Sequence, residues 1–169
     1  MLRAHPPQDR HRPRRRAADR GGPGRRAGRP GGGTRRRPSA CRPANHTAKI
    51  TSAPASAGHH HYRVTLTAPR GYDPCALAGS PTDVRFSDHG SHTPVTAGRY
   101  GDQSAVVTFG PGRPVHFDIQ VPGDARQVRA DEASFTLRGP DGPIPGASFA
   151  EGALMVAPGT LVGPVEQGA

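Results

Sequence analysis

Histidine is the residue through which this sequence offers most chemistry. Seven of its nine histidines lie beyond residue 40, and His59-His60-His61 with Asp88, His89 and His92 are side-chain types that hold transition metals. A metal site needs three or four ligands converging at about 2.0 to 2.1 Å, each oriented by an outer hydrogen bond. On a strand His59 and His61 share a face, which makes His59, His61, His89 and His92 the candidate ligand set. That face is the polar one, so the preferred reading is solvated histidines on a strand and a loop. The chain is accordingly expected to carry no metal and no cofactor.

Nucleophilic chemistry finds less support. The sequence has no Gly-x-Ser-x-Gly elbow and no His-Glu-x-x-His. Ser87, Asp88 and His89 are triad residue types, but a triad works by convergence in space, which contiguity does not supply. Neither cysteine has sequence neighbours that would stabilise a thiolate. No catalytic residue is assigned, and the chain is expected to be non-enzymatic. Asn45-His46-Thr47 fits a glycosylation acceptor and is read as coincidence.

The elements that must position these residues are small. With 169 residues, 33% hydrophobic and 5% aromatic, the chain suffices for one domain plus an appendage. The longest apolar run is the five residues 153–157, against the ~20 that cross a bilayer, so this chain shows no transmembrane segment. Two cysteines are too few for a zinc ribbon or a disulfide-dense miniprotein.

The net charge of +10 is unevenly placed. Residues 1–40 carry 13 arginines against Asp9 and Asp19, 13 − 2 = +11, whereas residues 41–169 carry 10 basic and 11 acidic groups, 10 − 11 = −1. The first segment has no Phe, Tyr, Ile or Val, and cannot offset an ordering cost of ~1 to 2 kcal/mol per residue, so 1–40 is expected to be a disordered tail. Arg14, Arg15, Arg16, Arg35, Arg36 and Arg37 are types that grip phosphates, and nucleic acid is the alternative partner they suggest. The preferred reading is a mis-set start, because Arg, Pro, Gly and Ala are what GC-rich codons spell upstream of a true one. No apolar signal region of ~7 to 15 residues is visible.

From residue 46 onward, alternating segments are separated by Gly, Pro, Asp and Ser, which is the pattern of strands and turns. Tyr62, Val64 and Leu66 alternate with polar neighbours, as do Val115, Phe117, Ile119 and Val121. Further strands are expected over 48–52, 84–87, 94–97, 105–109, 133–138 and 153–156, with an antiparallel hairpin across Gly110-Pro111-Gly112-Arg113. Residues 41–169 are therefore expected to form an all-β, immunoglobulin-like antiparallel β-sandwich, with a small barrel as the alternative.

A bond between Cys41 and Cys75 would close 75 − 41 = 34 positions and contribute roughly 4 kcal/mol on the chain-entropy account. Two free thiols are the alternative, and a pair is consistent with an oxidising compartment.

Several blocks resemble a known family: Cys41, Ala57-Gly58, the segment Tyr62 to Thr67, Pro74-Cys75-Ala76-Leu77-Ala78-Gly79-Ser80-Pro81, and Val107-Thr108-Phe109-Gly110-Pro111-Gly112. Over about residues 41–165 they resemble the secreted or membrane-anchored proteins of high-GC Gram-positive bacteria grouped as domain of unknown function 4232. The chain departs from the family's usual pattern at Ala68-Pro69-Arg70, at Ser80, and in lacking a second cysteine pair. The resemblance implies an extracytoplasmic, disulfide-linked β-sandwich of the secreted or cell-envelope kind, and no reaction. Its expected partner is a protein or glycan of the envelope, or a small ligand, bound through loops at one end.

Overall fold

Alternation at every second residue builds the strands. The computed structural model describes residues 41–42 and 45–169; the expectations placed on 1–40, including the phosphate-gripping arginines, lie outside the described residues. The strands are β1 (Thr47–Ser56), β2 (His59–Thr67), β3 (Cys75–Ala78), β4 (Thr82–Asp88), β5 (Ser91–Thr96), β6 (Gly98–Arg99) and β7 (Val106–Phe109). They continue with β8 (Val115–Pro122), β9 (Val128–Thr136), β10 (Arg138–Gly139), β11 (Gly142–Pro143), β12 (Ser148–Val156), β13 (Leu161–Val162) and β14 (Glu166–Gln167). The domain is all-β, as the sequence leads one to expect, and no described helix is long and apolar enough to cross a membrane.

Most strands join one hydrogen-bonded path, β5-β4-β9-β12-β1-β2-β8-β13-β6, with β14 also on β8, and this sheet nearly closes on itself in a barrel-like shape. β3 pairs with β7, and β10 with β11, in two small separate sheets. β1 and β2 pair antiparallel along most of their length, whereas β13 meets β6 in parallel; the seam of β1 with β12 is likewise parallel, with the single register pair Lys49↔Glu151. At this seam Gly152 has φ +151°, and an added Cβ would collide with the Ile50 carbonyl oxygen. Just beyond it the Tyr62 hydroxyl accepts a hydrogen bond from the Met155 N–H at 2.9 Å, so a β2 side chain supplies the acceptor where the ladder is interrupted.

The core consists of the side chains that alternation assigns inward. Tyr62, Val64 and Leu66 of β2 and Val115, Phe117, Ile119 and Val121 of β8 are all buried. Phe117 meets Phe135 of β9 edge to face, ring centroids 5.1 Å apart, although three strands separate β8 from β9 along the sheet path. The inner faces therefore touch across the core.

Two expectations need correction. The turn at Gly110 to Arg113 closes, with Arg113 N–H donating to the Gly110 carbonyl at 2.9 Å, but β7 and β8 do not form a hairpin. β7 pairs with β3 and β8 with β2. Pro114 follows the turn without an N–H to extend a ladder, so the turn acts as a corner between sheets. Secondly, His116 alternates outward on β8 yet is buried, because the C-terminal segment lies over it through the pairs Glu166↔His116 and Gln167↔Val115.

Candidate functional site

Register places several turns at one end of the domain. His59 at the start of β2 pairs with Pro122 at the end of β8, and Ser87 near the end of β4 pairs with Glu132 near the start of β9. The β1–β2 turn, the β4–β5 turn and the β8–β9 connection thus share an end. Both turns have two central residues with positive φ: Ala57 (43°) with Gly58 (78°), and His89 (48°) with Gly90 (78°). This geometry suits the right-handed twist of flanking strands and is normally filled by Asn, Asp or Gly. The Gly123 N–H donates to the Gly58 carbonyl at 2.8 Å, and a Cβ on Gly123 would meet that oxygen, so the β8–β9 connection packs backbone to backbone against the β1–β2 turn.

An open cleft of about 700 Å³ lies here, lined by Ala55, Ser56, Ala57, Gly58, His59, His60, Gly123 and Asp124. His59 Nδ1 lies 3.1 Å from the Ala57 carbonyl oxygen, which can only accept, so Nδ1 is the donor of this bond. His61 Nε2 lies 2.9 Å from Ser56 Oγ, and the two rings meet edge to face with centroids 6.4 Å apart. The cleft thus offers imidazole, hydroxyl, carboxylate and backbone groups to a polar ligand.

The four candidate metal ligands do not come together. Among the described residues the one group of three or more His, Cys, Asp or Glu side chains with ligand atoms mutually within 4.8 Å is Asp88, His89 and Asp131. His59 lines the cleft and His61 contacts Ser56 at its edge, while His92 pairs with Ser87 and so shares the strand face opposite to Asp88. His89 Nδ1 lies 3.1 Å from Asp88 Oδ1 and 3.7 Å from Asp131 Oδ2, and its backbone N–H donates to both Asp131 oxygens at 3.2 Å. Asp131 escaped the sequence reading because it is 42 positions from His89 and only the β4–β9 register brings it near. Nor do Ser87, Asp88 and His89 form a triad: the Ser87 hydroxyl donates to Glu132 Oε1 at 3.1 Å.

At Cys41 and Cys75 the structure has a disulfide, with Cα atoms 5.2 Å apart and both residues buried. The Tyr72 hydroxyl accepts from the Arg42 N–H at 3.1 Å, and its ring packs edge to face on Phe109, as does the ring of His46. Burial holds the His46 imidazole below its ordinary pKa, partly offset by the Arg42 backbone, and pushes the Tyr72 phenol up. Elsewhere, Arg63 Nε donates to Asp118 Oδ1 at 3.1 Å, which raises the guanidinium pKa further. Hydrogen bonds from the Ser104 hydroxyl and N–H hold the Asp102 carboxyl below its usual range.

An all-β architecture whose first strand is anchored by a buried disulfide defines the class of protein. The chain belongs to the family described as Domain of unknown function (DUF4232), which matches residues 41–162 and so begins at the first bridging cysteine. No curated protein and no solved structure matches it.

Proposed function

We propose that this chain is a non-enzymatic, extracytoplasmic binding domain with an immunoglobulin-like sandwich fold. The two-layer reading rests on β1: paired antiparallel with β2 and parallel with β12, it serves both layers, so that β5-β4-β9-β12 face β2-β8-β13 across the core. The contact between Phe117 and Phe135, on strands far apart in the path, supports facing layers. A bridge of two buried cysteines supports an oxidising compartment, where such bonds persist.

The observation that carries the binding reading is the cleft between the β1–β2 turn and the β8–β9 connection. Its open form and mixed donors and acceptors suit the exposed polar surface of an envelope protein or glycan. The Ser56–His61 contact lies on the exposed rim and is read as part of this recognition surface. Titrating soluble envelope glycan fragments, and separately envelope protein extracts, into the labelled domain tests the reading by amide chemical shifts. Saturable changes confined to residues 55–60 and 123–124 are expected. Changes centred elsewhere, or none with either preparation, contradict it.

A further inference from the structure

We propose that Asp88, His89 and Asp131 form a binding site for a divalent transition-metal ion at the β4–β5 turn, independent of the histidine-lined cleft. The site combines one imidazole nitrogen with two carboxylate oxygens, the mixed donor set that suits manganese through zinc rather than the softer copper(I). An ion ~2.0 to 2.1 Å from its ligands sets adjacent donors roughly 3.0 to 3.4 Å apart. Here Nδ1 of His89 stands 3.1 Å from Asp88 Oδ1 and 3.7 Å from Asp131 Oδ2, and the three ligand atoms all lie within 4.8 Å of one another, so the donors already converge on one side of a common point.

Three further features favour a cation at this point. Asp88 on β4 and Asp131 on β9 place like charges at adjoining positions of neighbouring strands, an arrangement that costs stability unless a positive charge intervenes. Arg129 is the described basic side chain beside them, with Nε 4.0 Å from Asp88 Oδ1, and it is two-thirds exposed, so it balances one of the two charges at most. The His89 N–H donates to both Asp131 oxygens and so fixes that carboxylate in the way outer hydrogen bonds orient metal ligands. His89 itself is 78% exposed, which leaves water to fill the outer positions. Binding requires the Nδ1 lone pair, so the ring would bind in the tautomer that carries its proton on Nε2. The two carboxylates then offset the charge of the ion.

Manganese(II) titration of the full chain, read by paramagnetic broadening of amide signals, tests the site. Manganese is bound weakly by imidazole alone, which separates this site from the histidine hairpin. Saturable broadening centred on residues 88–91 and 130–132 and reversed by a chelator is expected, with amides 59–61 remaining sharp. His89→Asn removes the imidazole while creating the Asn-Gly pair that this turn prefers, so the fold is retained. It and Asp131→Asn are each expected to weaken binding at least tenfold, and His92→Ala to leave it unchanged. Broadening that does not saturate, that centres on residues 59–61, or that survives undiminished in both His89→Asn and Asp131→Asn overturns the proposal.

Discussion

Phe117 on β8 and Phe135 on β9 stand edge to face at a 77° interplanar angle, though no hydrogen bond joins their strands. The pair ties together two parts of the sheet path that β12, β1 and β2 separate. Truncating either ring opens a cavity in a core where both are almost fully buried. Phe117→Ala and Phe135→Ala are each expected to cost ~3 to 5 kcal/mol. The double variant should lose less than the sum, by ~0.5 to 1.5 kcal/mol. Denaturant melts of the four proteins check this; strict additivity would mean that the two rings do not meet.

The seam between β1 and β12 depends on a missing side chain. Gly142 and Gly152 both have positive φ, but only at Gly152 would an added Cβ collide with a backbone oxygen, that of Ile50. Gly142→Ala should cost about 1 kcal/mol through backbone strain alone. Gly152→Ala adds a clash with a strand that cannot move aside cheaply, and a loss of about 3 kcal/mol or more is expected from thermal melts.

The strands with a sustained two-residue alternation could be read directly, which is why β2 and β8 match the sequence closely: the period of the side chains is the period of the burial. β3 could not be read this way. Cys75-Ala76-Leu77-Ala78 is short and made of small residues, and its pairing with β7 is a non-local choice. The same non-locality misled the expected hairpin, since Gly110 to Arg113 encodes a turn while the partners of the flanking strands are set elsewhere. β9 begins at Val128, ahead of the expected 133, because Arg129, Asp131 and Glu132 make its first half too polar to resemble a strand. This polar half supplies Asp131. The candidate ligands His89 and Asp88 were visible in the sequence, but their third partner needed the β4–β9 register, and nothing in the spacing of His59, His61 and His92 showed that they face elsewhere.

The polar face of β8 offers another test. From alternation alone His116 and Asp118 face solvent, but His116 Nδ1 lies 3.2 Å from the Gly168 carbonyl and Asp118 pairs with Arg63. His116→Ala should therefore cost about 1 kcal/mol, and removing residues 163–169 should abolish most of that difference. The half-exposed Arg63–Asp118 pair should show a coupling of only ~0.2 to 1 kcal/mol in a double-mutant cycle.

His46 makes stability pH-dependent. Its folded pKa is depressed by burial beside Phe109, so as pH falls through about 6.5 the unfolded chain takes up this proton first. The sign is that of a penalty: His46 contributes no pH dependence when both states are neutral, and destabilises the fold as pH drops towards the depressed value. Melts of the wild type and His46→Gln between pH 8 and pH 5 should show a steeper loss in the wild type. Equal slopes would place His46 in solvent.

The Cys41–Cys75 bridge links the fold to the proposed compartment, because it closes 34 positions around β1 and β2 and contributes roughly 4 kcal/mol only where thiols are oxidised. The most direct measurement is the intact mass of protein taken from its native producer and alkylated under denaturing, non-reducing conditions. A mass lower by two hydrogen atoms, with no alkyl group added until a reductant is supplied, is the expected result. Two alkylated thiols before reduction would contradict both the bridge and the proposed extracytoplasmic location that rests on it.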